Sequence, residues 1–122
     1  MSKYIDGFVA PIPKQHLEEY QKVASEVAKV WKEYGAIDYF EYAGDAMHHP
    51  GIRSFREAAG AAEDEVIIFG YAIFDSRETR DSANAKVPKD PRMSKLVGPL
   101  MDPERLIFDA SRMIYGGFER IV

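Results

Sequence analysis

Val66-Ile67-Ile68-Phe69-Gly70-Tyr71-Ala72-Ile73-Phe74 is a continuous apolar run of strand length. A strand with one wet face alternates apolar and polar residues; this one does not, so it is expected at the centre of a sheet with both faces covered. Upstream, Tyr4 to Pro11 is rich in β-formers and reads as a first strand that stops at Pro11-Ile12-Pro13, because proline cannot donate to a ladder. Between them, Leu17, Tyr20, Val23, Val27, Val30, Trp31 and Tyr34 recur at helical spacing over Lys14 to Tyr34, with Gly35 placed to end the helix. The aromatic-rich stretch Ala36 to Ala43, ending at Gly44-Asp45, is a second strand.

The remaining signals are local. Ser54 followed by Glu57 is a capping-box pattern for a short helix limited by Gly60, borne on a loop with weak core contact. Asp75 with Glu78 starts a second crossover helix through about Val87. Asp90-Pro91 and Asp102-Pro103 are cap-plus-first-position pairs, and Gly98-Pro99 reads as a stop. Arg112 to Val122 is a fourth strand whose Gly116-Gly117 marks a bulge or a close backbone approach.

The order is strand, helix, two strands, helix, strand. It predicts a single α+β domain over residues 1–122 of the ferredoxin-like βαββαβ type, with an antiparallel sheet and its helices on one face. The other face is then uncovered, and an apolar third strand gives it more hydrophobic area than a monomer usually exposes. A homodimer through the sheet face is the simplest cover.

Composition narrows the partners. The net charge is −4, from 16 basic and 20 acidic residues that are intermixed with no basic block, so nucleic acid is not expected. No apolar stretch approaches the ~20 residues of a bilayer span, and Met1-Ser2-Lys3-Tyr4-Ile5-Asp6 does not read as a signal peptide; a cytoplasmic protein is expected. With zero cysteines there is no disulfide, thiolate ligand or cysteine nucleophile. Nothing matches a phosphate loop, a nucleophile elbow or a zinc-protease helix, and no cofactor is expected.

Four groups of residues carry candidate chemistry, each with a plainer alternative. Asp6 and Glu41 lie inside otherwise apolar strands, where a carboxylate facing a cavity can act as a general base. Alternation equally allows the pleat to turn them outward, or to pair them with Arg112 or Arg120. Arg77, Arg80, Asp81 and Asn84 share a helix surface; the arginines there suit a carboxylate clamp, and a salt-bridged solvent face fits the same spacing. His48-His49-Pro50 is the only histidine cluster and could ligate a metal if carboxylates such as Asp45 converged with it, but adjacent side chains diverge, so a solvated loop is expected and no metal; His16 is expected to be exposed. The many aromatic residues line a pocket or pack a core equally well.

Tyr4 to Pro13, Val30-Trp31-Lys32-Glu33-Tyr34-Gly35-Ala36, Asp90-Pro91-Arg92-Met93 and Arg112 to Glu119 together resemble the YbaA-like bacterial family, domain of unknown function 1428. The resemblance spans nearly the whole chain and is most specific in the closing motif. It implies a dimeric α/β barrel of two ferredoxin-like protomers facing each other through their sheets, and it implies no activity and no catalytic residues. Where it leads one to expect a Phe-Asp-Gly-Lys-Arg type turn, this chain has Phe108-Asp109-Ala110-Ser111-Arg112, and losing the glycine makes a positive-φ turn less comfortable. Relatives of that barrel class include cofactor-independent monooxygenases, haem-degrading enzymes and isomerases. These look to Asn, His or Trp near the sheet cavity, and the strands read here contain none.

Two functions are expected in consequence. One is a small-molecule enzyme or binder with a cavity between sheet and helices, Asp6 and Glu41 as candidate catalytic residues and Arg80, Asn84, Arg112 and Tyr115 as candidate ligand contacts. The other is a non-enzymatic homodimeric binding or regulatory module.

Overall fold

The computed structural model describes residues 3–122; Met1 and Ser2, where the reading of the N-terminus begins, lie outside the described residues. The chain runs β1 (Tyr4–Pro13), α1 (Leu17–Glu33), β2 (Asp38–Ala43), α2 (Phe55–Ala59), β3 (Glu65–Phe74), α3 (Arg77–Lys86), α4 (Pro91–Val97) and β4 (Ile114–Glu119). The sheet order is β2-β3-β1-β4 and every pairing is antiparallel. This is the α+β ferredoxin-like arrangement, with β3 central as its apolar run requires.

β1 does not stop at Pro11. It pairs with β3 through Pro13, while its pairing with β4 ends at Val9. Lys3 presents its carbonyl to Arg120 on the β4 side, whereas the Lys14 amide donates to Asp64 on the β3 side. The odd-numbered positions therefore turn their backbone groups toward β4, and at Pro11 and Pro13 β4 is no longer there to want a donor.

Two further boundaries differ from expectation. α3 is capped by Ser76, not Asp75: its Oγ accepts from the Thr79 amide at 3.1 Å, leaving Asp75 free to pair with Lys3. Gly98-Pro99 does not stop the chain's coiling, since a 3-10 turn over Gly98–Met101 comes directly after α4. Ahead of β4, Ala110–Arg112 forms another 3-10 turn capped by Asp109, so the strand starts at Ile114 and no residue of that turn needs a positive φ. That removes the difficulty of the missing glycine. Ser54 caps α2 and Gly60 closes it in the left-handed region at φ +65°, as the capping pattern indicates.

The even-numbered side chains of β1 and β3 face α1, α3 and α4. They build two clusters, one around Phe74, Val30, Ala83 and Val87 and the other around Ile12, Tyr20, Ile68, Leu100 and Ile107. Trp31 closes the first by standing edge-on to Phe74, ring centroids 6.4 Å apart. Fully buried Phe74, Ile12, Ile107 and Val87 each contribute about 1.5–3 kcal/mol of apolar transfer.

The opposite face is not bare, and β3 is not buried on both sides within one chain. α2 crosses that face with Phe55 edge-on to Phe69 at 5.9 Å, and Val9, Pro11 and Ile67 are buried there. Beyond it an aromatic patch stays open: Phe69 is 41%, Tyr42 56% and Phe118 57% exposed, with Tyr42 stacked on Tyr71. No helix among the described residues is long and apolar enough to cross a membrane.

Candidate functional site

Where the two clusters meet beneath the helices, the sheet and α1, α3 and α4 line a half-open cavity of about 280 Å³. Its walls are Phe8 and Ala72 from the sheet, Val23, Val27 and Trp31 from α1, Met93 and Val97 from α4, and Leu100, Phe108 and Met113 from the segment before β4. Polar groups reach it at two places. One holds Asp6, Asn84 and Tyr115; the other holds Glu41, Tyr20 and Tyr39.

Asp6 faces the helices because even positions of β1 do, and it is buried. Its Oδ2 accepts from Asn84 Nδ2 at 2.9 Å. Its Oδ1 is buried with no hydrogen-bond partner. The nearest cation, Arg80, keeps Nε 4.0 Å from that oxygen, donates instead to Asp81, and lies 5.7 Å from the centre of the Tyr4 ring. A buried carboxylate oxygen left unmatched costs free energy that a bound donor would return. Partial burial, then the Asp6 charge and the approach of the Tyr115 hydroxyl to that carboxylate, raise Tyr115 above the usual phenol range against the opposing pull of Asn84 and Arg80.

Glu41 reaches the same cavity from the edge strand, and both of its oxygens are occupied. Tyr20 donates to Oε1 at 2.5 Å and Tyr39 to Oε2 at 2.6 Å. Burial pushes Glu41 above the ordinary carboxylate range against the pull of the two hydroxyls, and burial followed by the Glu41 charge raises both tyrosines.

Each carboxylate sits beside a glycine whose side-chain space is taken. A Cβ at Gly70, which pairs with both Phe8 and Glu41, would stand 2.4 Å from the Phe8 ring and 3.0 Å from Glu41 Cγ. At Gly117, opposite Asp6, it would stand 2.8 Å from Arg80 Nη1 and 3.1 Å from Asp6 Oδ1. Gly116-Gly117 therefore marks a close approach; the register past it is unbroken and there is no bulge.

The other sequence candidates separate. Arg80 and Asn84 turn inward along α3 toward Asp6, while Arg77 and Asp81 are exposed, so the four do not form one solvent face. Arg112 does not join the cavity, and neither it nor Arg120 pairs with Asp6 or Glu41. Arg112 forks onto Glu65 at 2.7 and 2.9 Å and bonds the Gly60 carbonyl, holding Glu65 below its usual range. Arg120 donates to the Val122 carbonyl. His48 and His49 are exposed and His16 is half-buried at the start of α1; no group of three metal-ligating side chains converges among the described residues.

The sequence does not mark Tyr20 and Gly70 as site residues, and Tyr39 stands there only among the aromatics that line a pocket or pack a core equally well. Gly70 had a signal, a lone glycine inside an apolar strand, which marks a close approach. Tyr20 had none, because an inward tyrosine on a helix stripe reads as core. The Asp90-Pro91-Arg92-Met93 motif gains a physical role. Asp90 accepts from the Arg92 amide and guanidinium and from the Tyr34 hydroxyl, while Arg92 reaches Glu33, so α4 and its cavity residue Met93 are tied to the end of α1.

Residues 3–109 match the family described as Protein of unknown function (DUF1428). Uncharacterized protein YbaA of Escherichia coli (strain K12) is 38% identical over 120 residues, covering 98% of this chain and 97% of YbaA, and the Shigella flexneri YbaA matches equally. Among solved structures, a dimeric ferredoxin-like protein from an uncultured marine organism superposes with TM-score 0.55 at 11% identity, covering 100% of this chain and 96% of that one. A nipsnap family protein with unknown function from Agrobacterium tumefaciens gives 0.55 at 13%, covering 97% and 87%. At such identities the likeness speaks for the fold alone.

Proposed function

We propose that this chain, which belongs to the DUF1428 family, binds a small, largely apolar molecule between its sheet and helices and presents that molecule's polar group to Asp6. The unpartnered Oδ1 of buried Asp6 carries the reading. A cavity with apolar walls and few polar groups is the usual form of a ligand site, and a free carboxylate oxygen inside it is a group that can accept or remove a proton. The test fills the space. Small aromatic fragments should raise the melting temperature of the native protein and leave Val97→Phe, narrowed from the α4 side, unmoved. Equal shifts in both would place the fragments elsewhere and defeat the reading.

A second reading, a homodimeric binding module joined through the sheet, is favoured by the open aromatic patch around Tyr42, Phe69 and Phe118 and by the dimeric state given for the marine ferredoxin-like protein. Sedimentation equilibrium at micromolar concentration should then return twice the 13.8 kDa chain mass, and Phe69→Glu should halve it. A native monomer would end that reading without touching the first.

A further inference from the structure

We propose that the molecule this cavity takes is a small organic amine in its ammonium form, carried on a compact aromatic or aliphatic body. This rests on the binding reading above and names its ligand class.

Charge gives the first argument. No lysine, arginine or histidine lines the cavity, whereas Asp6 and Glu41 do. Arg80, the cation closest to Asp6, is directed to Asp81 and stops 4.0 Å short of Oδ1. A carboxylate or phosphate ligand would find no counter-charge on these walls.

The hydrogen inventory gives the second, and it is independent of net charge. The Tyr20 and Tyr39 hydroxyls spend their protons on Glu41, and the Asn84 amide spends one on Asp6. Apart from the Tyr115 hydroxyl beside Asp6 and the Trp31 indole N–H, what these walls have left to offer is mainly lone pairs: two phenolic oxygens, the Asn84 carbonyl and, above all, the unpartnered Asp6 Oδ1. An ammonium is all donor and no acceptor, the complement of that set. Phe8, Trp31 and Phe108 add aromatic rings to the walls, beside which a desolvated cation gains further wherever it meets a ring face.

Three matched probes separate the classes: 2-phenylethylamine, 2-phenylethanol and 3-phenylpropionate, titrated by calorimetry and by the fluorescence of Trp31, the only tryptophan in the chain and part of the cavity wall. The amine should bind about tenfold more tightly than the alcohol, the difference expected of one charge-assisted bond, and the acid should bind least. Asp6→Asn should remove that advantage, bringing the amine to the affinity of the alcohol measured in the same variant. Alcohol or acid binding as tightly as the amine would overturn the amine class and leave the cavity reading intact. Silence from all three up to about 10 mM, a weaker affinity than any specific site of this size needs, would overturn both. The ranking within the native protein decides the matter even if Asp6→Asn does not fold.

Discussion

Asp6 and Glu41 look alike in the sequence, each a lone acid in an apolar strand, and both face the same cavity; they differ in how many of their oxygens are used. Glu41 has an O–H donor on each oxygen, whereas Asp6 has one donor and one buried oxygen with none. Their glycines differ in the same sense. The space at Gly70 is filled chiefly by a ring inside the core, and that at Gly117 chiefly by the tip of the Arg80 side chain, with Asp6 Oδ1 beside it. The Glu41 end is thus built as structure, and the Asp6 end keeps something in reserve. Burial alone does not mark a functional carboxylate; an unused buried oxygen does.

The comparison breaks most visibly at Glu41. Glu41→Ala strands two tyrosine hydroxyls without their acceptor and should lower unfolding free energy by about 3 kcal/mol in urea titration. A loss under about 1 kcal/mol would mean that Tyr20 and Tyr39 find other acceptors and that the two ends are not different in kind. The same residue sets a pH signature. Its folded pKa lies above its unfolded value, so the stability it confers is complete below the unfolded value of about 4.3 and is lost as pH rises through the folded one. Against Glu41→Gln, the native protein should therefore lose relative stability as pH climbs from about 4; a parallel pair of curves would contradict the burial argument.

Gly70→Ala comes next, at about 2 kcal/mol, because the Phe8 ring is packed and cannot yield cheaply. Gly117→Ala should cost less than about 1 kcal/mol, since Arg80 can move off, and should be detected in thermal melts as a small shift. Equal losses at the two glycines would erase the distinction between a rigid and a yielding neighbour. Smallest of all is Asp6→Asn, within about 0.5 kcal/mol of the native protein: an amide keeps a partner in Asn84 and gives up only the long 4.0 Å approach of Arg80, which Asp81 holds more closely. A loss as large as that of Glu41→Ala would show Asp6 to be structural after all.

The element order was legible because periodicity and caps are local: Ser54, Asp90-Pro91 and Asp102-Pro103 each cap the helical turn that begins beside them. Features that depended on distant neighbours were not. Whether β1 survives its prolines is decided by where β4 ends, and which way Asp6 and Glu41 face is decided by packing, which alternation leaves open. Ser76 prevailed over Asp75 as the cap through geometry alone. Asn84 was legible as a ligand contact on its helix, whereas Trp31 reaches the cavity from a helix stripe that reads equally as core.

The two prolines closing β1 bear on other molecules as well as on this one. Past Val9 that strand has no ladder partner on its β4 side, and at Pro11 and Pro13 it offers an incoming strand carbonyls without amides. A foreign chain docking there would find every second rung missing, so this margin resists runaway strand addition and protects the protein from self-templated aggregation.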